Sequence, residues 1–166
     1  AFLSILGIEH LYNIIMKQNV DDAGQILTQL HRDLHETVFK NESQNEEFNE
    51  GMDLSISVVY HNEKKINFAG AMNDLYLIRN NEITSYRGSR HSIGTNVSIA
   101  GEEDRFVYES QTVECQSGDI FYMFSDGFVD QFGGPEQKKF KHRRFKQMLL
   151  NIHKLPARDQ RLILNQ

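Results

Sequence analysis

The segment from Ile120 to Asp130 carries the side chains in this sequence that are best suited to chemistry. A run of apolar residues, typical of a buried strand, leads directly into Ser125-Asp126-Gly127. A carboxylate at the end of a strand is held rigidly at the rim of a sheet, and hard cations such as Mg²⁺ or Mn²⁺ prefer such oxygen ligands. Glycine beside it lets an ion or a phosphate come close to the backbone. A simple turn explains the same residues, because Asp-Gly commonly begins one.

Two histidines and a basic cluster are the other notable polar groups. His31 and His35 are four residues apart on a predicted helix, a spacing that can hold zinc, but the zinc-protease motif needs a glutamate directly after its first histidine. We therefore expect both on a solvated helix face. We expect the same of the basic cluster, which consists of Lys138, Lys139, Lys141, Arg143 and Arg144.

Hydrophobic periodicity predicts the elements that would position these residues. Apolar residues at helical spacing predict two helices in the first forty residues, with Asp21 and Asp22 suited to the start of the second. Residues 40–50 are polar and aperiodic, which indicates a loop. The period then changes to two and predicts strands near residues 54–60, 66–71, 75–78, 83–86, 105–114 and 119–125.

Turn and helix signals complete the pattern. Asn80-Asn81 suits a tight hairpin, since asparagine tolerates positive φ. Helices return after Gly133-Gly134-Pro135, with Pro135 suited to a first helical turn and Pro156 to the boundary between two helices. This order predicts an α+β fold in which antiparallel sheets are layered with helices.

Composition limits the function classes. A length of 166 residues fits one domain, residues 1–166, and a net charge of -5 gives no reason to expect nucleic acid as a partner. Cys115 is the only cysteine, so no disulfide can form within the chain, and we expect a cytoplasmic protein. No apolar run approaches the ~20 residues that span a bilayer. The chain begins without methionine, so a sensor or membrane anchor could precede it in a longer parent.

Five short segments occur in a suggestive order: Gly51-Met52-Asp53-Leu54, Phe68-Ala69-Gly70-Ala71, Ser92-Ile93-Gly94, Ser117-Gly118-Asp119 and Ser125-Asp126-Gly127-Phe128-Val129-Asp130-Gln131-Phe132-Gly133-Gly134. Together they resemble the core of the SpoIIE/RsbU-type serine phosphatases, a bacterial branch of the type 2C metal-dependent protein phosphatases. The last segment, followed by Lys138-Lys139-Phe140, is the most specific. The resemblance covers nearly the whole chain.

The resemblance implies a partial α–β–β–α sandwich with two Mn²⁺ or Mg²⁺ ions, which activate a water to attack the phosphorus. Asp126 matches the metal-binding aspartate of the family's Ser/Thr-Asp-Gly motif, and Asp130 on the same loop could assist it. Asp53 lies in a motif that is often Asp-Gly-Met-Asp in relatives, where Glu50 here replaces the first aspartate. A strand-start cap is the reading we favour for Asp53. Ser125, Gly127 and Gly51 adjoin these ligands.

Two of the family's acidic motifs are missing. The first would precede Ala1, and the Asp-Asp of the final strand would follow Gln166. We therefore expect a domain truncated at both ends that binds no catalytic metal and hydrolyses nothing, within a parent that is an active phosphatase. Open sheet edges would favour pairing with a second copy of the chain.

The function implied is a serine/threonine phosphatase in bacterial signal transduction and sigma-factor regulation. Its substrate would be a phosphorylated anti-sigma-factor antagonist, and an upstream sensor domain would regulate it. Two alternatives stay open: a non-catalytic, phosphatase-like scaffold that binds a signalling partner, and an unrelated α+β binding domain.

Overall fold

The computed structural model describes residues 2–39, 51–95, 107–133 and 138–165. The helices are α1 (Phe2–Tyr12), which runs into a π-helical turn (Asn13–Lys17), α2 (Ala23–Phe39), α3 (Asp126–Val129), α4 (Lys141–Ile152) and α5 (Ala157–Leu164). The strands are β1 (Leu54–Tyr60), β2 (Lys65–Ala71), β3 (Leu75–Arg79), β4 (Glu82–Tyr86), β5 (Gln111–Glu114), β6 (Ile120–Met123), β7 (Phe132–Gly133) and β8 (Lys138–Lys139). Among the described residues, every helix is too short or too polar to span a bilayer.

The chain divides into two compact units. The first unit comprises residues 1–74 and 87–115, and the second comprises residues 75–86 and 116–166. Each unit has its own antiparallel sheet and its own hydrophobic cluster. The prediction of one domain over residues 1–166 stays a prediction.

In the first unit, α1 and α2 pack with a three-stranded sheet of order β1-β2-β5. The apolar face of α2 supplies the buried core together with the inward side chains of β2, since residues three and four apart share one helix face. The start of α2 is capped twice. Asp22 Oδ1 accepts the Gln25 N–H at 2.9 Å, as predicted for an aspartate at this position, and Asn67 Oδ1 accepts the Ala23 N–H at 2.7 Å.

In the second unit, the sheet has the order β4-β3-β6 and packs with α4 and α5. The predicted hairpin is confirmed, because Asn80 and Asn81 have φ of 52° and 63° between β3 and β4. A bidentate ion pair joins the last residue of β3 to the residue before β6. Arg79 Nε donates to Asp119 Oδ1 at 2.8 Å, and its Nη2 donates to Oδ2 at 2.7 Å.

The predicted α+β fold is confirmed, with changes at its boundaries. The strand expected at 119–125 is shorter, and the strand expected at 105–114 is β5 alone within the described residues. Pro156 directly precedes α5, as predicted. The loop at residues 40–50, including Glu50, and the turn at Gly134-Pro135 lie outside the described residues.

The prediction of a solvated face is wrong for His31. Only 8% of this residue is exposed, and its Nδ1 accepts the Gly94 N–H at 3.1 Å, so the neutral ring carries its proton on Nε2. Burial, followed by electrostatic repulsion from His35 and Arg32, lowers the pKa of His31 from 6.5 to about 4. Sequence spacing shows that His31 lies on α2 but does not show that Gly94 covers it. No cluster of potential metal ligands forms around it within the described ranges.

Candidate metal-binding site

Asp126 lies near the end of a strand, as its sequence pattern predicts, but the strand ends earlier, at Met123, and Asp126 begins a short helix that the sequence did not predict. It is the first residue of α3, just beyond β6, and β6 pairs antiparallel with the buried strand β3. The residue is exposed and makes no ion pair or side-chain hydrogen bond within the part of the chain that the structure describes. An aspartate at a helix start is also favoured by the positive end of the helix dipole. Asp126 therefore presents a carboxylate to solvent from a fixed backbone.

Apolar side chains of α3 hold that backbone in place. Val129 is buried, and the Phe128 ring packs against Phe140 at 5.5 Å and Phe145 at 4.9 Å between centroids. The turn is closed by the Asp130 N–H, which donates to the backbone carbonyl of Asp126 at 2.9 Å. The loop thus has one packed side and one open side.

Gly127 lies on the open side. A Cβ added there would meet, among the described residues, only Ser125 Oγ at 3.5 Å, an ordinary van der Waals distance. The backbone conformation does not require glycine, because its φ lies outside the left-handed region. The space beside Gly127 is compatible with the close approach of an ion or a phosphate.

Asp130 is less suited to bind an ion. Its Oδ2 accepts a hydrogen bond from Lys139 Nζ at 2.9 Å, and both side chains are about half exposed. The ammonium compensates the carboxylate charge and would have to move before a cation could take its place. Asp126 and Asp130 stand at the two ends of the short helix α3, where the sequence predicted a loop. Of the two, Asp126 has a carboxylate without such a partner among the described residues.

Asp53 lies in the first unit, between an isolated bridge and the start of β1. Its Oδ1 accepts a hydrogen bond from Ser92 Oγ at 2.5 Å, and the neighbouring Met52 exchanges two backbone hydrogen bonds of 2.9 Å with Ile93. A Cβ added to Gly51 would lie 2.5 Å from Ser92 Cβ. These contacts give Asp53 and Gly51 a structural role in joining the start of β1 to the turn at residues 91–95.

Ser92 is the partner that sequence reasoning missed. The Ser92-Ile93-Gly94 segment was the available signal, because it is one of the family-like segments, but its contact with Asp53 spans 39 residues. Tyr108 Oη donates to the Ser92 carbonyl at 3.0 Å and fixes the turn further.

The described residues fit one ligand of a metal centre and not a complete set. Asp126 supplies an exposed oxygen donor, whereas Lys139 engages Asp130 and Ser92 engages Asp53. No group of three or more histidine, cysteine, aspartate or glutamate side chains comes together within the described ranges. A cation that needs about six oxygens would take the others from water or from residues beyond this set.

Comparison with known proteins agrees with this geometry. A family model described as stage II sporulation protein E (SpoIIE) matches residues 3–164. The chain belongs to the SpoIIE family. No curated protein sequence matches it significantly.

Solved structures show the same fold. The SiaA-PP2C domain of Pseudomonas aeruginosa is 25% identical, with a TM-score of 0.80 over 99% of this chain and 60% of that one. The phosphatase domain of the cell-fate determinant SpoIIE from Bacillus subtilis is 13% identical, with a TM-score of 0.50, and a crystal presoaked with Mn gives 15% and 0.53. Each Bacillus subtilis comparison covers 95% of this chain and 62% of that one. The chain thus spans about 60% of the length of these domains and has a type 2C phosphatase fold.

Proposed function

We propose that this domain is a metal-dependent serine/threonine protein phosphatase, which hydrolyses phosphoserine or phosphothreonine on a regulatory protein. The observation that carries the proposal is the exposed Asp126 carboxylate at the start of α3, just beyond β6, within the Ser-Asp-Gly segment of a SpoIIE-family chain. The open space beside Gly127 supports it, since a phosphate could approach the backbone there.

In such an enzyme, two Mn²⁺ or Mg²⁺ ions would supply an activated water and offset charge on the transferring phosphoryl group. Asp126 would hold one ion from a rigid position, because α3 is anchored by the packing of Phe128 and Val129. Asp130 would act indirectly, by orienting the loop through its contact with Lys139.

We also propose that the 166 residues alone do not form the two-metal centre and are inactive. The ligand count supports this, because the described residues offer one accessible carboxylate at the site. A single carboxylate binds a hard divalent cation only weakly against water.

The test is a calorimetric Mn²⁺ titration with an assay of p-nitrophenyl phosphate hydrolysis. It compares the 166-residue chain with a version extended at both ends. Binding and hydrolysis in the longer version alone would support both proposals. Tight binding or turnover by the 166 residues would refute the inactive-chain proposal. If neither version binds Mn²⁺ or hydrolyses the substrate, the non-catalytic scaffold is favoured. The pairing of Asp130 with Lys139 and of Asp53 with Ser92 also favours it.

The proposed substrate is a phosphorylated regulator resembling an anti-sigma-factor antagonist, and the proposed regulator is a sensor domain on the same polypeptide. Pairing with a second copy of the chain is also a proposal. It is supported by exposed apolar side chains along one stripe of α1, at Phe2, Ile5, Ile8 and Tyr12. Sedimentation at increasing concentration would detect such pairing, and a chain that stays monomeric at all concentrations would exclude it.

A further inference from the structure

A strongly basic segment follows the candidate site in the second unit. Residues 138–158 contain eight of the chain's 18 lysines and arginines and no aspartate or glutamate, although the whole chain has a net charge of -5. The part of this segment at β8 and the first turn of α4 forms what we call the basic surface: Lys138, Lys139, Lys141, Arg143 and Arg144.

All five side chains of the basic surface are on exposed residues. Lys139 pairs with Asp130. Lys141, Arg143 and Arg144 make no ion pair or side-chain hydrogen bond with any described residue. These three consecutive or near-consecutive cations in the first turn are therefore solvated and have no paired carboxylate among the described residues.

Their position on α4 does not favour folding. The first turn of a helix carries the positive end of its dipole, so a cation there is destabilising and an anion is stabilising. α4 has no acidic residue in that turn and no side-chain cap. Nor does the helix contain an acidic residue that could pair at i+4. A face that served only solubility could carry glutamate at these positions with a gain in stability, so the charges point to the binding of an anionic partner.

The basic surface adjoins the Asp126 loop. Lys139 Nζ contacts Asp130, and Phe128 of α3 packs against Phe140 and Phe145 on either side of the first turn of α4. These contacts lie within the second unit. The basic surface therefore lies beside the loop on which the phosphorylated residue of a substrate would be bound.

We propose that the basic surface docks an acidic segment of the phosphoprotein substrate, next to the phosphorylated residue. This rests on the proposed phosphatase function. Acidic side chains elsewhere on the chain would repel such a segment, so the attraction is local and sets orientation as well as affinity.

The test uses the double variant Arg143→Glu/Arg144→Glu, with Lys17→Glu/Lys64→Glu as a control. The control residues are exposed and lie in the first unit, and their substitution changes the net charge equally. The probe is a fluorescein-labelled peptide with one phosphoserine flanked by glutamates. Its binding is followed by anisotropy at low and physiological salt.

The double variant should bind the probe about tenfold more weakly, or worse, with a smaller dependence on salt, while the control stays within about twofold. A peptide with glutamine in place of the glutamates should bind weakly, and the unphosphorylated acidic peptide should keep most of the affinity. Urea unfolding should show the double variant to be at least as stable as the parent chain, because the helix dipole favours glutamate there. A loss of binding through misfolding would be seen as a loss of stability.

Equal binding of the probe by the double variant and the control would overturn the proposal. So would equal binding of the glutamine peptide, or tighter binding of a single-stranded oligonucleotide, which would mark a nucleic-acid surface. The readout needs neither metal nor turnover. Binding of the peptide by both versions, with no hydrolysis by the extended one, would count against the proposed activity and leave the docking surface standing. In a version that hydrolyses, charge reversal should raise KM for the acidic phosphopeptide and leave p-nitrophenyl phosphate hydrolysis unchanged.

Discussion

At the scale of single residues, the environment gives three aspartates of the second unit different chemistry. Asp126 is exposed at a helix start, and Asp130 forms an ion pair with Lys139. The Asp119 side chain is nearly buried and forms an ion pair with the Arg79 guanidinium. The hydrogen bonds from Arg79 hold the pKa of Asp119 below its ordinary value, helped by the Gln116 N–H. Asp126 alone among the three combines accessibility with a rigid backbone, which is what a cation ligand requires.

Asp126→Asn should abolish activity in a version of the protein that hydrolyses p-nitrophenyl phosphate. A neutral amide binds a hard cation far more weakly, so we expect a loss of about 100-fold or more, with weaker Mn²⁺ binding. The free energy of unfolding should fall by less than ~1 kcal/mol, because the residue is exposed. Asp130→Asn is the matched control and should have a smaller effect. Equal losses from the two substitutions would contradict the role given to Asp126.

His31 predicts a pH dependence of stability. Its pKa in the folded state, about 4, lies below the unfolded value of 6.5, so the folded protein binds the proton less readily. The stabilisation is fully present above pH 6.5 and is lost as the pH falls toward 4, by roughly 3 kcal/mol. Urea unfolding between pH 7 and about 4.5 measures it. His31→Asn keeps an acceptor for the Gly94 N–H and should flatten this dependence. His61→Asn, at an exposed turn, should leave it unchanged.

At the scale of elements, close backbone approaches join parts distant in sequence. The start of β1 meets the turn at residues 91–95 through the Met52–Ile93 bridge, the Ser92–Asp53 hydrogen bond and the missing side chain of Gly51. This junction lets Asp53 act as an anchor for β1. That is close to the strand-start role we favoured from sequence, while a metal role for Asp53 stays a prediction.

Gly51→Ala tests the junction. The new methyl would lie 2.5 Å from both Ser92 Cβ and Thr95 Cγ2, which forces the two segments apart. We expect a loss of about 1–3 kcal/mol in the free energy of unfolding, measured in urea. Gly127→Ala has open space beside it and should be neutral or slightly stabilising in α3. If both variants were equally stable, the junction would not require glycine.

At the scale of the whole molecule, two separate hydrophobic clusters stabilise the chain. Leu30 is fully buried in the cluster of the first unit, and Leu149 is fully buried in that of the second. The family match spans both, at residues 3–164, so the fold of the SpoIIE family includes both units.

Leu30→Ala and Leu149→Ala should each cost about 2–5 kcal/mol, because each leaves a cavity in a packed cluster. Native-state hydrogen exchange should show the largest loss of amide protection within the unit that carries the substitution. A uniform loss across both units would instead show that they open together. Leu162→Ala, at an exposed residue, is the control and should have a small effect.

The sequence by itself determined the family, the α+β class, the Asn80-Asn81 hairpin and the place of Asp126 near the end of a strand. These depend on short-range patterns: a period of two or 3.6, a turn residue, or a carboxylate soon after an apolar run. The tertiary structure alone decided that His31 is buried against Gly94, that Asn67 caps α2 and that Arg79 forms an ion pair with Asp119. Those partners are 63, 44 and 40 residues apart. Strand register and helix packing set such contacts, and local periodicity does not specify which distant segment covers a given residue.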